Sequence, residues 1–400
     1  MSELRLLYVI DSLAPGGAET SLAEMAPKLV ARGLELHVLP LRPLLDLAPS
    51  LVSCGAVVHT PSRRLGRMAN VRTVVNRIQL IRPDLVHSTL YESDIAGRVA
   101  AWLTRVPVST SVVGDSYGHA RRGEVDHRRL RLALAADRLT AQHASRFHAV
   151  SESLARSITL NLGIPRGRID VVPRGRDPDK YRFRPAGVRR NVRNSLGLSP
   201  DAPVILTVGR LEPAKGLLSL MRALPLVTAE HPDLVVLMAG KDGESSRELR
   251  LAASRLGINV RFLGHRTDVP ALLAAADVLC FPSLREGSPG TLIEAMAVGC
   301  PVVASDIAAN AEVLGRGDGC AGQMFRTGDH RHLGAALLRV LMHPDSSGDV
   351  ARLGRARYEN LYTIDIVARS MNEFFRSAAA ARPISKMSPH QRRDELGSHQ

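Results

Sequence analysis

Aromatic side chains make up only 4% of the 400 residues, with a single tryptophan, so the stacking platforms that single-stranded nucleic acid needs are missing. Cysteine is equally sparse. Cys54, Cys280, Cys300 and Cys320 show no C-x-x-C spacing, and two of them lie inside apolar strand-like runs, so buried free thiols are expected rather than disulfides or metal ligands. No apolar run approaches the ~18 residues of a membrane-spanning helix. The stretch "LRLLYVI" (4–10) is cut short by Asp11, and neither a charged segment nor a small-residue cleavage site precedes it, so a cytoplasmic protein is expected. A complete G-x-G-x-x-G is also absent, since "LAPGGAE" after the first run does not supply it, which makes a dehydrogenase the weakest enzymatic reading.

What is present is apolar and basic. Hydrophobic residues make up 45% of a chain of net charge +14, enough for two or three domains and suited to anionic partners. Short β-branched runs alternate with helical stretches. In the first half they fall at 4–10, 34–41, 83–90, 107–113, 145–151 and 169–173; in the second at 203–209, 233–240, 259–264, 276–283 and 300–306. Such continuous apolar strands between helices predict parallel sheets covered on both faces. The Pro-, Gly- and Arg-rich stretch "RGRDPDKYRFRPAGVRRNVRNSLGLSPDAP" separates the sets and places a domain boundary near 180–200. Ile366, Val367, Met371, Phe374 and Phe375 share one side of a helix over 364–377 that needs a packing surface. The remainder of the chain is polar and expected to be disordered. Two doubly wound domains that face one another would put the carboxyl ends of their strands on a shared cleft, where open α/β sheets take ligands.

One strand end carries "LREGSPGTLIEAMAVGCPVVASD" (284–306), with Glu286 and Glu294 separated by seven residues. After the strand, Ser288 is expected to cap a helix that begins at Pro289, Gly290 and Thr291 and stops at Gly299. The amides and dipole at its start suit a phosphate. Glu294, nearly two turns in, is placed to accept from ribose hydroxyls, and Glu286 to hold hydroxyls beyond the phosphate. Two carboxylates bracketing a diphosphate fit a nucleotide sugar. A second strand end, "GRLEPAKG" (209–216), supplies Arg210 and Lys215, two cations able to neutralise a leaving diphosphate.

Together with "GGAE" (16–19), these segments resemble the retaining glycosyltransferase family 4, whose fold is the two-domain α/β GT-B architecture of Rossmann-like domains. The resemblance runs over about residues 4–378, including "YTIDIVARSMNEFF", similar to the family's segment that crosses back to the first domain. It implies an acceptor-side domain over 1–180, a nucleotide-sugar-binding domain over 181–363, a returning helix over 364–378 and a tail over 379–400. It further implies that Arg210 and Lys215 bind the donor diphosphate, Glu294 the ribose and Glu286 the transferred sugar. Backbone amides of Gly287, Ser288, Pro289, Gly290 and Thr291 would assist, proline contributing only its position, and Gly16 and Gly17 would let backbone approach the donor closely. No metal or other cofactor is implied, and "DPD" (177–179) sits between the domains rather than at a metal site.

The chain departs from the family pattern in places. Val113 stands where a histidine is common before Gly114, leaving Asp115, Ser116, Tyr117 and His119 as loop candidates. Arg174 in "PRGRD" (173–177) stands where an amide is common, and His87, an acceptor-side candidate together with Asp115 and His119, matches a frequent family histidine that also reads as a strand-end residue. No first-domain acid presents itself as a nucleophile, so same-face attack with the leaving diphosphate as base is expected. A glycan or lipid-linked acceptor is expected, the more so if the chain docks on a membrane. Residues 63–82, with six arginines, no acid and Leu65, Met68, Val71, Val75 and Ile78 at helical spacing, read either as a domain helix or as a docking helix at the inner face of an anionic membrane. An epimerase, a hydrolase and a noncatalytic sugar-nucleotide binder are the rival functions.

Overall fold

The computed structural model describes residues 3–61, 66–114, 127–183 and 187–382. The chain forms two compact units, one of residues up to Gly175 together with those from Ile364 onward, the other Arg176–Thr363. The first break thus falls ahead of the 180–200 region that composition suggested.

The first unit contains β1 (Leu4–Ile10), α1 (Gly17–Val30), β2 (Leu34–Pro40), α2 (Ala48–Ser53), β3 (Val57–Val58), α3 (Arg67–Ile81), β4 (Leu85–Thr89), α4 (Tyr91–Thr104), β5 (Val108–Val112), α5 (His127–Ala141), β6 (Arg146–Ala149), α6 (Glu152–Leu162) and β7 (Ile169–Val171). Its sheet runs β3-β2-β1-β4-β5-β6-β7. The registers are parallel, as in Leu6↔Leu85 and Val86↔Val108. Strand alternation divides the core between two faces. Leu7 and Val9 join Val86 and Phe147 under α3–α6, while Leu6, Tyr8 and Ile10 pack with α1 on the other side.

The second unit contains α7 (Val188–Ser195), β8 (Val204–Val208), α8 (Leu217–Glu230), β9 (Val235–Ala239), α9 (Ser246–Leu256), β10 (Asn259–Gly264), α10 (Val269–Ala275), β11 (Val278–Phe281), α11 (Gly290–Val298), β12 (Val302–Ser305), α12 (Ala308–Leu314), β13 (Gln323–Phe325), α13 (His330–Met342) and α14 (Pro344–Leu361). The strand order is β10-β9-β8-β11-β12-β13, parallel throughout. α15 (Ile364–Ala380) then completes the first unit, burying Ile364, Val367, Met371, Phe374, Phe375 and Ala378. Ile364 takes the place on that stripe expected for Ile366, and the helix runs past 378 to Ala380.

The described cysteines are free, with Cys280 and Cys300 buried. No helix among the described residues is long and apolar enough to cross a membrane. The apolar stripe sought in residues 63–82 belongs to the domain core, because Val71, Val74, Ile78 and Ile81 of α3 are buried against the sheet. Leu65 lies outside the described residues and Met68 is exposed.

On α4, desolvation pushes buried Asp94 up to about 8, with Arg98 opposing and Asp137 reinforcing the shift. The folded chain therefore keeps a proton that the unfolded chain releases above its ordinary 3.8. That contribution is complete at acid pH and is lost as pH rises through about 8. The wild type should lose stability relative to Asp94→Asn over this window, read from urea midpoints across pH. Parallel profiles for the two proteins would refute the assignment.

Candidate donor site

β8 ends at Val208, and the chain turns through Gly209 into a short 3₁₀ turn, Pro213–Lys215. This turn lies against the loop after β11, since Leu284 N–H donates to Ala214 C=O at 2.9 Å. The approach requires a glycine. Gly216 has φ +63, and a Cβ there would stand 2.1 Å from the Pro282 carbonyl oxygen. Gly216→Ala should cost about 1–3 kcal/mol through strain alone and weaken donor binding with it. A melting temperature and nucleotide affinity both equal to wild type would contradict this crowding.

The two loops bring Lys215 to Glu286. Lys215 Nζ lies 2.6 Å from Glu286 Oε1, and Ser283 Oγ donates to the same oxygen at 2.8 Å. The lysine ammonium also lies 5.7 Å from the centre of the Phe281 ring. Arg210 is largely exposed and pairs with Glu212 at 2.7 Å rather than with either site glutamate.

α11 forms because nearly every side chain along it is apolar. Leu292, Ile293, Ala295, Met296, Ala297 and Val298 are all buried, and left-handed Gly299 closes the helix. Its start differs from expectation. Pro289 is the N-cap, the helix begins at Gly290, and no side chain caps it, so Ser288 does not serve as the cap. Ser288 is buried, and its hydroxyl has no hydrogen-bond partner. Uncapped first-turn amides, together with the dipole, suit an anion at this end. Glu294 lies farther along, its side chain 12% exposed, and receives Arg176 Nε at 2.7 Å on Oε1. Arg176 was not among the residues expected here; its one sequence signal was a second arginine in Pro-Arg-Gly-Arg-Asp.

In the first unit, Gly16 is the extended N-cap of α1, and Gly17 opens the helix beside Arg174, whose Nη1 donates to Gly17 C=O at 2.9 Å. A Cβ on Gly17 would meet that guanidinium at 2.6 Å, so the glycine makes room for a side chain of this same unit. A pocket opens nearby, lined by Tyr8, Thr89, Ser111, Val113, His148 and Arg174 among others. His87 lies beneath its floor, fully buried, with Nδ1 on Ser109 Oγ and Nε2 on Ser111 Oγ, each at 2.8 Å. Burial holds its pKa well below the usual imidazole value. This corrects its placement as an acceptor contact: Ser111 and Thr89, not His87, line the pocket. Asp115 and His119, with Ser116 and Tyr117, lie outside the described residues. Asp177 and Asp179 form a local turn in which Asp179 N–H donates to Asp177 Oδ1 at 2.9 Å, and no group of three potential metal ligands occurs among the described residues.

Two family models match the chain, Glycosyltransferase Family 4 over residues 15–180 and Glycosyl transferases group 1 over 202–343. The chain is 30% identical over 411 residues to the D-inositol 3-phosphate glycosyltransferase of Streptomyces avermitilis, covering 92% of this chain and 84% of that one. It is 30% identical over 338 residues to the phosphatidyl-myo-inositol mannosyltransferase of Mycobacterium leprae, covering 82% and 84% respectively. The crystal structure of Anabaena HepE in complex with UDP-glucose superposes with a TM-score of 0.81 at 23% identity, covering 94% of this chain and 100% of that one.

Proposed function

The chain belongs to glycosyltransferase family 4 and is a glycosyltransferase of the GT-B fold, and from that premise we propose that it moves a sugar from a nucleoside diphosphate donor, with retained anomeric configuration, to a glycan or lipid-linked acceptor. The observation that carries the donor assignment is the Lys215–Glu286 pair at 2.6 Å beside the uncapped head of α11, where the Ser288 hydroxyl is buried without a partner. Cation, amides and hydroxyl suit a diphosphate; the two glutamates suit the sugars on either side of it. The complex of HepE with UDP-glucose supports the same donor class.

In this reading Arg210 and Lys215 bind the diphosphate, Glu286 grips the transferred sugar, Glu294 the ribose, and the leaving diphosphate serves as base for same-face attack. Amides of Gly287, Ser288, Gly290 and Thr291 assist, and Gly16 and Gly17 keep backbone close to the donor. No metal takes part. The test is a thermal-shift panel of nucleoside diphosphate sugars, followed by transfer assays that assign the anomeric configuration of the product. Absence of a shift with every donor refutes the donor site; an inverted product, or a glycosyl-enzyme adduct on a carboxylate, refutes the mechanism.

A lipid-linked acceptor draws support from the name of the mycobacterial phosphatidyl-myo-inositol mannosyltransferase. Peripheral attachment to an anionic inner membrane face would then follow, though not through α3, whose apolar side is buried. The outer face of α5 suits it better. Leu132 and Leu139 are each 72% exposed among exposed Arg128, Arg129, Arg131 and Arg138. Binding to phosphatidylglycerol vesicles at low salt that is lost in Leu132→Glu/Leu139→Glu supports this attachment; co-sedimentation that stays negative refutes it.

A further inference from the structure

Resting on the donor-site reading, we propose that Arg176 is a positioning residue that fixes the Glu294 carboxylate for a ribose diol, so that the arginine sets the preference for ribonucleotide over deoxyribonucleotide donors. The two residues are 118 positions apart in sequence, yet their side chains are only 8% and 12% exposed and joined at 2.7 Å. The arginine is tied down at its backbone. Its N–H donates to Tyr362 C=O at 2.9 Å, and its own C=O accepts from the Tyr358 hydroxyl at 2.9 Å. The guanidinium lies against the first residue of α11, where a Cβ on Gly290 would be 2.2 Å from Nη2. Gly290 thus makes room for this arginine as well as opening the helix.

The placement is electrostatically awkward for a purely structural pair. A cation at the positive end of a helix dipole is disfavoured, and a buried ion pair is commonly matched or surpassed in stability by apolar residues of similar size. The arrangement makes sense when the carboxylate has a further task. An ionised carboxylate offers about four acceptor positions, and Arg176 Nε takes one on Oε1, leaving Oε2 to receive ribose hydroxyls. Pinned this way, Glu294 meets the diol without losing rotamer freedom on binding.

Calorimetric titration with UDP, GDP and ADP and with their 2′-deoxy counterparts tests the assignment on wild type, Arg176→Leu and Arg176→Lys. The preferred nucleotide should bind wild type on the order of 10–100-fold more tightly than its 2′-deoxy form, the range of a hydrogen bond to a charged group. Arg176→Leu should collapse that ratio to within about threefold, the ribo form losing its 2′-hydroxyl contact and the deoxy form, which keeps only the 3′-hydroxyl, weakening less. A merely structural role would weaken both ligands equally; an unchanged ratio therefore overturns the proposal while leaving the donor site standing. Should Arg176→Leu fail to fold, Arg176→Lys must still lower the ratio, since an ammonium lacks the Nε geometry, and an undiminished ratio there overturns the proposal too. If wild type binds none of the three diphosphates, the donor-site reading itself falls, and this inference with it.

Discussion

Lys215→Met should slow sugar transfer at saturating donor on the order of 10²–10³-fold. The lysine Nζ sits 2.6 Å from Glu286 at the junction of two loops whose approach depends on Gly216. Negative charge on the diphosphate grows as the glycosidic bond breaks, so a fixed ammonium there stabilises the transition state more than the bound donor. The loss should accordingly fall on kcat with little change in KM. Glu286 is held by the same ammonium and by Ser283 Oγ at 2.8 Å, so removing the lysine also frees the carboxylate proposed above to grip the sugar. Glu286→Gln and Lys215→Met should for that reason combine less than additively. Transfer by Lys215→Met at close to the wild-type rate would reduce the lysine to an ion-pair partner and remove the catalytic reading of this loop.

The strands with four or more apolar residues were legible in the sequence because burial on both faces makes them continuous hydrophobic runs. β3, two residues long, and β13, three residues long, were not, although β7, an edge strand just as short, was expected at 169–173. That Lys215 and Glu286 lie at one site was expected from the sequence, because both sit at strand ends that a parallel sheet brings to one side, but their ion pair was not. The Arg176–Glu294 pair was not expected either. Nothing local distinguishes that arginine from others in a basic connecting stretch, and its role emerges only when α14 and the bridge to Thr363 fix its backbone beside α11.

The residue roles that spacing left open or assigned wrongly share a cause. α3 showed apolar side chains at helical spacing with arginines around them, a pattern common to membrane-docking and core-facing helices. Only the sheet beneath Val71, Val74 and Ile78 decides between them. Ser288 matched the composition of a cap, yet the helix starts one residue beyond Pro289 and the hydroxyl stays unpartnered. His87 stood at a strand end, but Ser109 and Ser111 on the adjacent strand occupy both of its nitrogens. For α3 and His87, cross-strand or cross-element neighbours, invisible to sequence spacing, set the role.

Arg98→Met should destabilise the first unit by about 3–5 kcal/mol, the usual cost of breaking a buried ion pair from one side. Arg98 is fully buried on α4, donates through Nη1 to Asp137 and through Nε to Thr110 Oγ1 at 2.9 Å, and lies 5.3 Å from the centre of the Phe147 ring. Its Nη2 is also 3.9 Å from Asp94. Two acidic groups thus share one buried cation. Without it, either a carboxylate remains charged in an apolar setting or it takes up a proton, so the deficit should shrink as pH falls. The same reasoning predicts that Arg98→Met combined with Asp137→Leu recovers much of the loss, because the second change removes the charge that the first leaves unbalanced. Urea denaturation of the three proteins is the measurement. A single substitution costing less than about 1 kcal/mol, within the range of exposed pairs, would show that water reaches this cluster and that the charges are not held in the apolar interior described above.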